Sequence, residues 1–211
     1  MSIAFVFPGQ GAQTIGMGQA LADAYPAARA VFDEVDDALG EKLSEVIWNG
    51  DIETLTLTQN AQPALMATSM AAMAALKAEG LGIERASFVA GHSLGEYAAL
   101  CAAGAVSLAD TARLLRIRGR AMQAAVPVGQ GAMAAVLGLD AAAAEKVAEA
   151  AAQGDVCQLA NENDPSQNVL SGSKAAIERA VVLAKEAGAK RALPLPVSAP
   201  FHCALMQPLN S

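Results

Sequence analysis

Gly91-His92-Ser93-Leu94-Gly95 is flanked on one side by the apolar run Ala86-Ser87-Phe88-Val89-Ala90. On the other side lies Glu96-Tyr97-Ala98-Ala99-Leu100-Cys101-Ala102-Ala103, which closes at Gly104. The first run reads as a buried strand and the second as a helix. A Gly-x-Ser-x-Gly pattern held between strand and helix is the setting of a nucleophile elbow. A serine in such a turn sits on strained backbone, at a cost of roughly 1–3 kcal/mol. Gly91 and Gly95 keep side chains out of the crowded turn. The turn presents the Ser93 hydroxyl, with the positive end of a helix dipole beneath it.

The chain opens Ile3-Ala4-Phe5-Val6-Phe7-Pro8-Gly9-Gln10-Gly11-Ala12-Gln13. An apolar strand breaks at Pro8 into a loop rich in glycine and glutamine. Backbone N–H groups of such a loop are left to point at one spot. Two converging N–H groups make an oxyanion hole in serine acyl-transfer sites. The N–H of Leu94, directly after the serine, would be one donor and this loop would supply the other.

The composition restricts the alternatives. The 211 residues suit one large domain or a domain with an inserted lobe. The hydrophobic fraction is 54% and aromatics are 4%, so the core is expected to be aliphatic and helix-rich. No apolar stretch is long enough to span a bilayer, and no basic leader precedes the first strand, so neither membrane nor export is expected. Cys101, Cys157 and Cys203 are widely spaced and odd in number, which favours reduced thiols in a cytoplasmic protein. With His92 and His202 as the only histidines and no Cys-x-x-Cys, a structural zinc site is not expected. The net charge of −7 argues against nucleic acid and anionic membranes as partners. An acidic partner would need a local basic patch, for which Arg113, Arg116 and Arg120, or Lys185, Lys190 and Arg191, are candidates.

Periodicity predicts a helix over 17–39 broken at Pro26, and a buried helix over 62–79 with Met66, Met70 and Met73 in the core. A further helix is expected over 108–125, capped by Ser107. From 127 onward the rhythm changes. Strand 132–139, helix 141–152 capped by Asp140, strands 156–160 and 168–171, helix 174–187 and strand 191–197 follow in turn. The two prolines of the last strand place it at an edge. The order βαββαβ is that of a ferredoxin-like unit. The chain is therefore read as α/β: a large subdomain over 1–126 with a parallel sheet and the elbow, an inserted ferredoxin-like lobe over 127–197, and a return to the large subdomain over 198–211. A site in the cleft between the two is expected.

Phe7-Pro8-Gly9-Gln10-Gly11-Ala12-Gln13, Gly91-His92-Ser93-Leu94-Gly95-Glu96-Tyr97, Arg118-Gly119 and Ser198-Ala199-Pro200-Phe201-His202 occur in the order found in malonyl-CoA:acyl-carrier-protein transacylases. The chain resembles that family, and the acyltransferase domains of polyketide synthases, over essentially its whole length. The resemblance implies a hydrolase-like large subdomain with a ferredoxin-like small one. It implies Ser93 as nucleophile, His202 as its base, the N–H groups of Gln10 and Leu94 as oxyanion donors, and Arg118 as the clamp for the malonyl carboxylate. A planar guanidinium suits that task because it can bind a carboxylate through two parallel hydrogen bonds. Phe201 matches a bulky position that disfavours a methyl branch on the acyl group. His92 is expected to pack structurally. The implied partners are malonyl-CoA and acyl carrier protein, with no metal or cofactor and with a monomer favoured.

The resemblance implies a family that continues for about a third of its length beyond the position of Ser211; either the chain is a fragment or the remaining elements come from elsewhere, and 211 residues alone would expose an apolar sheet edge. The family's histidine is oriented by the backbone carbonyl of a glutamine in that later part, and no equivalent is found here. Two other readings stay open: a serine esterase or thioesterase, and a non-catalytic fragment that only binds CoA or carrier protein.

Overall fold

The strand that opens the chain and the strand before the serine pair in parallel. β1 (Ile3–Phe7) lies beside β2 (Ala86–Gly91), with Phe7 opposite Gly91. In-register strand ends set the Pro8–Gln13 loop and the His92-Ser93 turn side by side, and the His92 N–H donates to the Phe7 carbonyl at 3.1 Å. The computed structural model describes residues 2–210. It divides into two compact units, Met1–Arg120 and Ala121–Ser211.

In the first unit, α1 (Gln19–Ala24) and α2 (Pro26–Leu39) are separated at Tyr25, with Pro26 at the first turn of α2 and Gly40 closing it in the left-handed region at φ 66°. This is the break expected at Pro26, since proline tolerates a first helical turn and not an interior one. Two short helices, α3 (Leu43–Asn49) and α4 (Ile52–Thr56), lead from α2 to α5. Asp51 caps α4 through the Thr54 N–H at 2.7 Å. α5 (Thr58–Ala78) begins four residues before the expected start at Gln62, so Pro63 falls inside the helix. Proline has no N–H for the carbonyl four residues back, which is that of Gln59. Arg116 Nη1 donates to that carbonyl instead, at 2.7 Å. α6 (Leu94–Ala102) follows the elbow, and α7 (Leu108–Ala125) starts at Ser107, whose Oγ accepts from the Asp110 N–H at 3.1 Å. Phe7, Phe32, Ile47, Leu55, Met66, Met70, Leu94 and Leu115 form the core, with Met73 packed at its margin.

The first unit differs from expectation at β2. The run read as a buried strand is exposed on one face, where Phe88 and Ala90 stand opposite Ala4 and Val6 of β1. Side chains alternate across a strand, so the other face alone meets the core.

The second unit carries β3 (Gly131–Leu137), α8 (Ala141–Ala152), β4 (Cys157–Asp164), β5 (Gln167–Ser173), α9 (Lys174–Glu186) and β6 (Arg191–Pro194). The sheet order is β4-β5-β3-β6 with every pairing antiparallel, which is the ferredoxin-like arrangement. Asp140 caps α8 through the Ala143 N–H at 2.8 Å. β6 lies on a sheet edge and ends at Pro194, short of the expected 197, because Pro194 and Pro196 have no N–H to carry the ladder on. Ala134, Val136, Val147, Leu170 and Ile177 form the core between sheet and helices. Residues 204–210 form a short 3-10 helix. Among the described residues the three cysteines are free, no helix is long and apolar enough to cross a membrane, and no group of three or more His, Cys, Asp or Glu is placed to hold a metal ion.

Candidate active site

The turn at Ser93 has the geometry of an elbow. Ser93 adopts φ 53° and ψ −111°, a region that an L-residue enters only when its surroundings force it. Both flanking glycines are sterically required. A Cβ on Gly91 would lie 1.9 Å from the Gly95 carbonyl, and one on Gly95 would lie 2.4 Å from the Phe7 carbonyl oxygen. These contacts are with backbone, so no side chain can step aside. His92 is exposed, and its ring lies against the loop: a Cβ on Gly9 would stand 2.6 Å from His92 Nδ1.

Ser93 is the residue before α6 and Leu94 is its first residue, so the Leu94 N–H is one of the donors a helix leaves without an internal partner. Among the described residues neither the Leu94 N–H nor the Gln10 N–H meets a hydrogen-bond acceptor. Parallel pairing of β1 with β2 brings the loop that carries Gln10 to the end of the strand that carries the elbow.

Arg118 reaches the same place from α7. Its Nη2 lies 3.2 Å from Ser93 Oγ, its Nη1 donates to Gln62 Oε1 at 2.6 Å, and its Cζ sits 5.6 Å from the centre of the Tyr97 ring. Burial pushes the Arg118 pKa down, opposed by Tyr97 and Glu96. Arginine nevertheless keeps its charge in proteins, so the half-buried cation is available to a carboxylate. Gly119 makes the approach possible: a Cβ there would stand 2.5 Å from Gln59 Cα and 2.7 Å from the Thr58 carbonyl oxygen. α7 can therefore touch the first turn of α5 at the residue next to Arg118.

Arg116 corrects one expectation. It was a candidate for an exposed basic face, yet it is buried and bonds the Gln59 carbonyl, Asn60 Oδ1 and Glu41. Its pKa is lowered by burial first and by Arg120, with Glu41 opposing. Its place is structural, at the carbonyl that Pro63 leaves without a helical partner. Arg113 and Arg120 remain exposed.

Three buried polar residues of α5, Thr58, Asn60 and Gln62, escaped the sequence reading. Thr58 and Gln62 sit in the first turns of the helix, one helical turn apart. That spacing of two polar groups on a buried helix was the available signal. Tyr97, one turn after Ser93 in α6, was also missed as a neighbour of Arg118.

His202 belongs to the second unit. It is exposed, lies in the turn after Pro200 and has φ 58°; with Ser93 and Gln153 it completes the set of non-glycine residues at positive φ among the described residues. The turn is tied to β4, since the Ala204 N–H donates to Gln158 Oε1 at 2.6 Å. His202 lines a cavity of about 910 Å³ with Glu145, Glu149, Cys157 and Cys203. Burial pushes the Cys157 thiol up to about 11. Phe201, expected near the acyl group, is buried in an apolar cluster with Met133, Val169, Ala199 and Met206.

A strained serine at a strand-to-helix turn, with open backbone N–H groups beside it, has the local geometry of a nucleophile elbow. The model of the acyl transferase domain family matches residues 4–211, and the chain belongs to that family. It is 54% identical over 207 residues to the malonyl CoA-acyl carrier protein transacylase of Bacillus subtilis, covering 98% of this chain and 64% of the relative. The crystal structure of acyl-carrier-protein-S-malonyltransferase from Bartonella henselae superposes with a TM-score of 0.92 at 60% identity, over 99% of this chain and 67% of that one. A type II PKS acyl-carrier protein in complex with its malonyl-transacylase matches with a TM-score of 0.92 at 46% identity, over 99% of this chain and 67% of that one. The chain thus spans a little under two thirds of the length of the Bacillus relative.

Proposed function

We propose that this chain carries the site that moves a malonyl group from malonyl-CoA to the phosphopantetheine thiol of an acyl carrier protein, in fatty-acid synthesis. The observation that carries the reading is the Arg118 guanidinium, 3.2 Å from the hydroxyl of a strained Ser93. An esterase for neutral acyl groups has no use for a fixed cation at that distance from its nucleophile. A malonyl group ends in a free carboxylate, which a guanidinium can hold through two parallel hydrogen bonds. The name of the Bacillus relative supports the same donor and acceptor, and that of the Bartonella relative the same acyl group and acceptor.

In this reading Ser93 Oγ attacks the thioester carbonyl while His202 takes the hydroxyl proton. The N–H groups of Leu94 and Gln10 receive the oxyanion, each worth about 10²–10³ in rate. The carbon–sulfur bond breaks, His202 returns the proton to the CoA thiolate, and a malonyl-serine ester remains with its carboxylate on Arg118. The carrier-protein thiol then gives its proton to His202 and attacks the ester, and the Ser93 hydroxyl is restored. The reading includes a large subdomain over 1–126 completed by 198–211, a lobe over 127–197, a monomer and a cytoplasmic location.

Intact-mass measurement after incubation with malonyl-CoA or acetyl-CoA tests it. The expected result is a malonyl adduct that is absent from S93A, with acetyl much weaker. Equal adducts from both donors would overturn the role of Arg118 and favour the esterase. A folded sample that takes neither would overturn the acyl-transfer reading for this chain.

A further inference from the structure

The geometry points to Thr58 as a positioning residue that couples the cation beside Ser93 to the loop that carries Gln10. Four side chains form one unbroken line in the first unit. Arg118 Nη1 donates to Gln62 Oε1 at 2.6 Å, Gln62 Nε2 donates to Thr58 Oγ1 at 2.7 Å, and Thr58 Oγ1 donates to Gln10 Oε1 at 2.9 Å. Gln10 Nε2 then reaches the Thr56 carbonyl at 3.3 Å.

The direction of the line is fixed at its Arg118 end. A guanidinium has five donors and no acceptor, so Gln62 must present its oxygen to Arg118 and its nitrogen to Thr58. The threonine hydroxyl accepts from that nitrogen and turns its one proton to the Gln10 oxygen. Thr58 is fully buried and Gln62 is 1% exposed, so water does not compete for the bond between them; the bonds at the two ends, to Arg118 and to Gln10, are partly buried. Hydrogen bonds in series reinforce one another where water is excluded, and replacing the Thr58 hydroxyl takes a bond from both Gln62 and Gln10. Gly119 brings α7 against the Thr58 carbonyl, so the backbone of the same residue also sets the distance between the helices.

The consequence is that the placement of Arg118 Nη2 at Ser93 and the placement of the Gln10 loop are not independent. Orienting the cation for a carboxylate also orients the loop that would receive the oxyanion. This inference rests on the malonyl reading only for what Arg118 binds; the coupling itself does not require it.

The test uses the full chain and a fluorophosphonate, which labels an activated serine and carries no carboxylate. T58V is expected to slow labelling of Ser93 roughly tenfold, and T58S to restore it to within about twofold. In an R118A background the line has lost its cation end and keeps only the bonds from Gln62 through Thr58 to Gln10, so adding T58V should cost clearly less than tenfold, about threefold or under. A T58V rate equal to that of the unaltered chain would overturn the coupling. So would an undiminished tenfold loss in the R118A background, which is what a merely structural threonine gives. If T58V does not fold, R118A alone decides: the amide ¹H–¹⁵N signal of Gln10 must move, and an unmoved signal overturns the coupling. A chain labelled by the fluorophosphonate but not by malonyl-CoA would sink the malonyl reading and leave these outcomes to decide the coupling.

Discussion

In β5 five consecutive residues, Asn168 to Gly172, are buried, and Leu170 is 0% exposed; in β1 and β2, Val6 and Phe88 stand 74% and 72% exposed on one face. The antiparallel sheet sits β5 between two neighbours and covers it with α8 and α9 of the same unit. The parallel pair has α6 and the core on one side only. The difference separates two ways of holding a sheet. The second unit is held by burial of side chains. At the elbow, the first unit is held by backbone packed on backbone, at Gly91, Gly95 and the Phe7 carbonyl. It is this second kind of contact that maintains Ser93 at φ 53°.

The largest effect that tests this contrast is at the elbow. A methyl group on Gly91 cannot coexist with the Gly95 carbonyl 1.9 Å away. G91A should therefore displace Ser93, and a shift of about 1 Å at a reacting atom costs on the order of 10²-fold in rate. Overpacking should also lower stability by about 1–3 kcal/mol or more. Fluorophosphonate labelling and thermal melting measure the two losses. Labelling that survives unchanged would mean that the glycine contact is not what fixes the turn.

In the second unit the same test is made with a cavity. L170A removes a side chain that is wholly buried, and a large-to-small change of this kind costs about 2–5 kcal/mol. Chemical denaturation should show that loss with the Ser93 turn chemically unaltered. A cost below about 1 kcal/mol would mean that burial is not what holds the sheet.

The same contrast explains what could be read from the sequence. The ferredoxin-like order was legible because several of its elements carry a local signal: Asp140 caps α8, Gly188 follows α9, and Pro194 with Pro196 beyond it marks β6 as an edge. The elbow was legible because two glycines at fixed spacing are the only residues its backbone contacts allow. The start of α5 was missed because Pro63 looks like a first-turn residue. Only Arg116, distant in sequence, makes an interior proline tolerable by taking the Gln59 carbonyl. The line from Arg118 through Gln62 and Thr58 to Gln10 was invisible for a similar reason. Its members are separated by 48 to 56 residues apart from one local pair, and no periodicity reports such a bond.

A smaller effect is expected with pH. The Cys157 thiol is buried in β4 and pushed up to about 11, from an ordinary value of 9.0. A raised folded-state pKa means that the unfolded chain releases its proton first. The contribution is fully present below the ordinary thiol range and is lost as pH rises from about 9 to 11. Urea midpoints followed across that interval should fall more steeply in the unaltered chain than in C157A. Parallel slopes would show that this thiol is not held neutral by its surroundings.

The smallest effect is expected at Phe88, and it bears most directly on the comparison. Its ring is mostly outside the core, so replacing it with serine removes little buried area, and exposed substitutions stay within about 0.5 kcal/mol. F88S should leave the denaturation midpoint close to that of the unaltered chain. Serine is a poorer strand former than phenylalanine, but β2 is fixed by its parallel ladder to β1, so that penalty stays small. A loss above about 2 kcal/mol would mean that Phe88 is covered in solution. The parallel pair would then be buried on both faces like β5, and the contrast between the two sheets would reduce to one of strand direction.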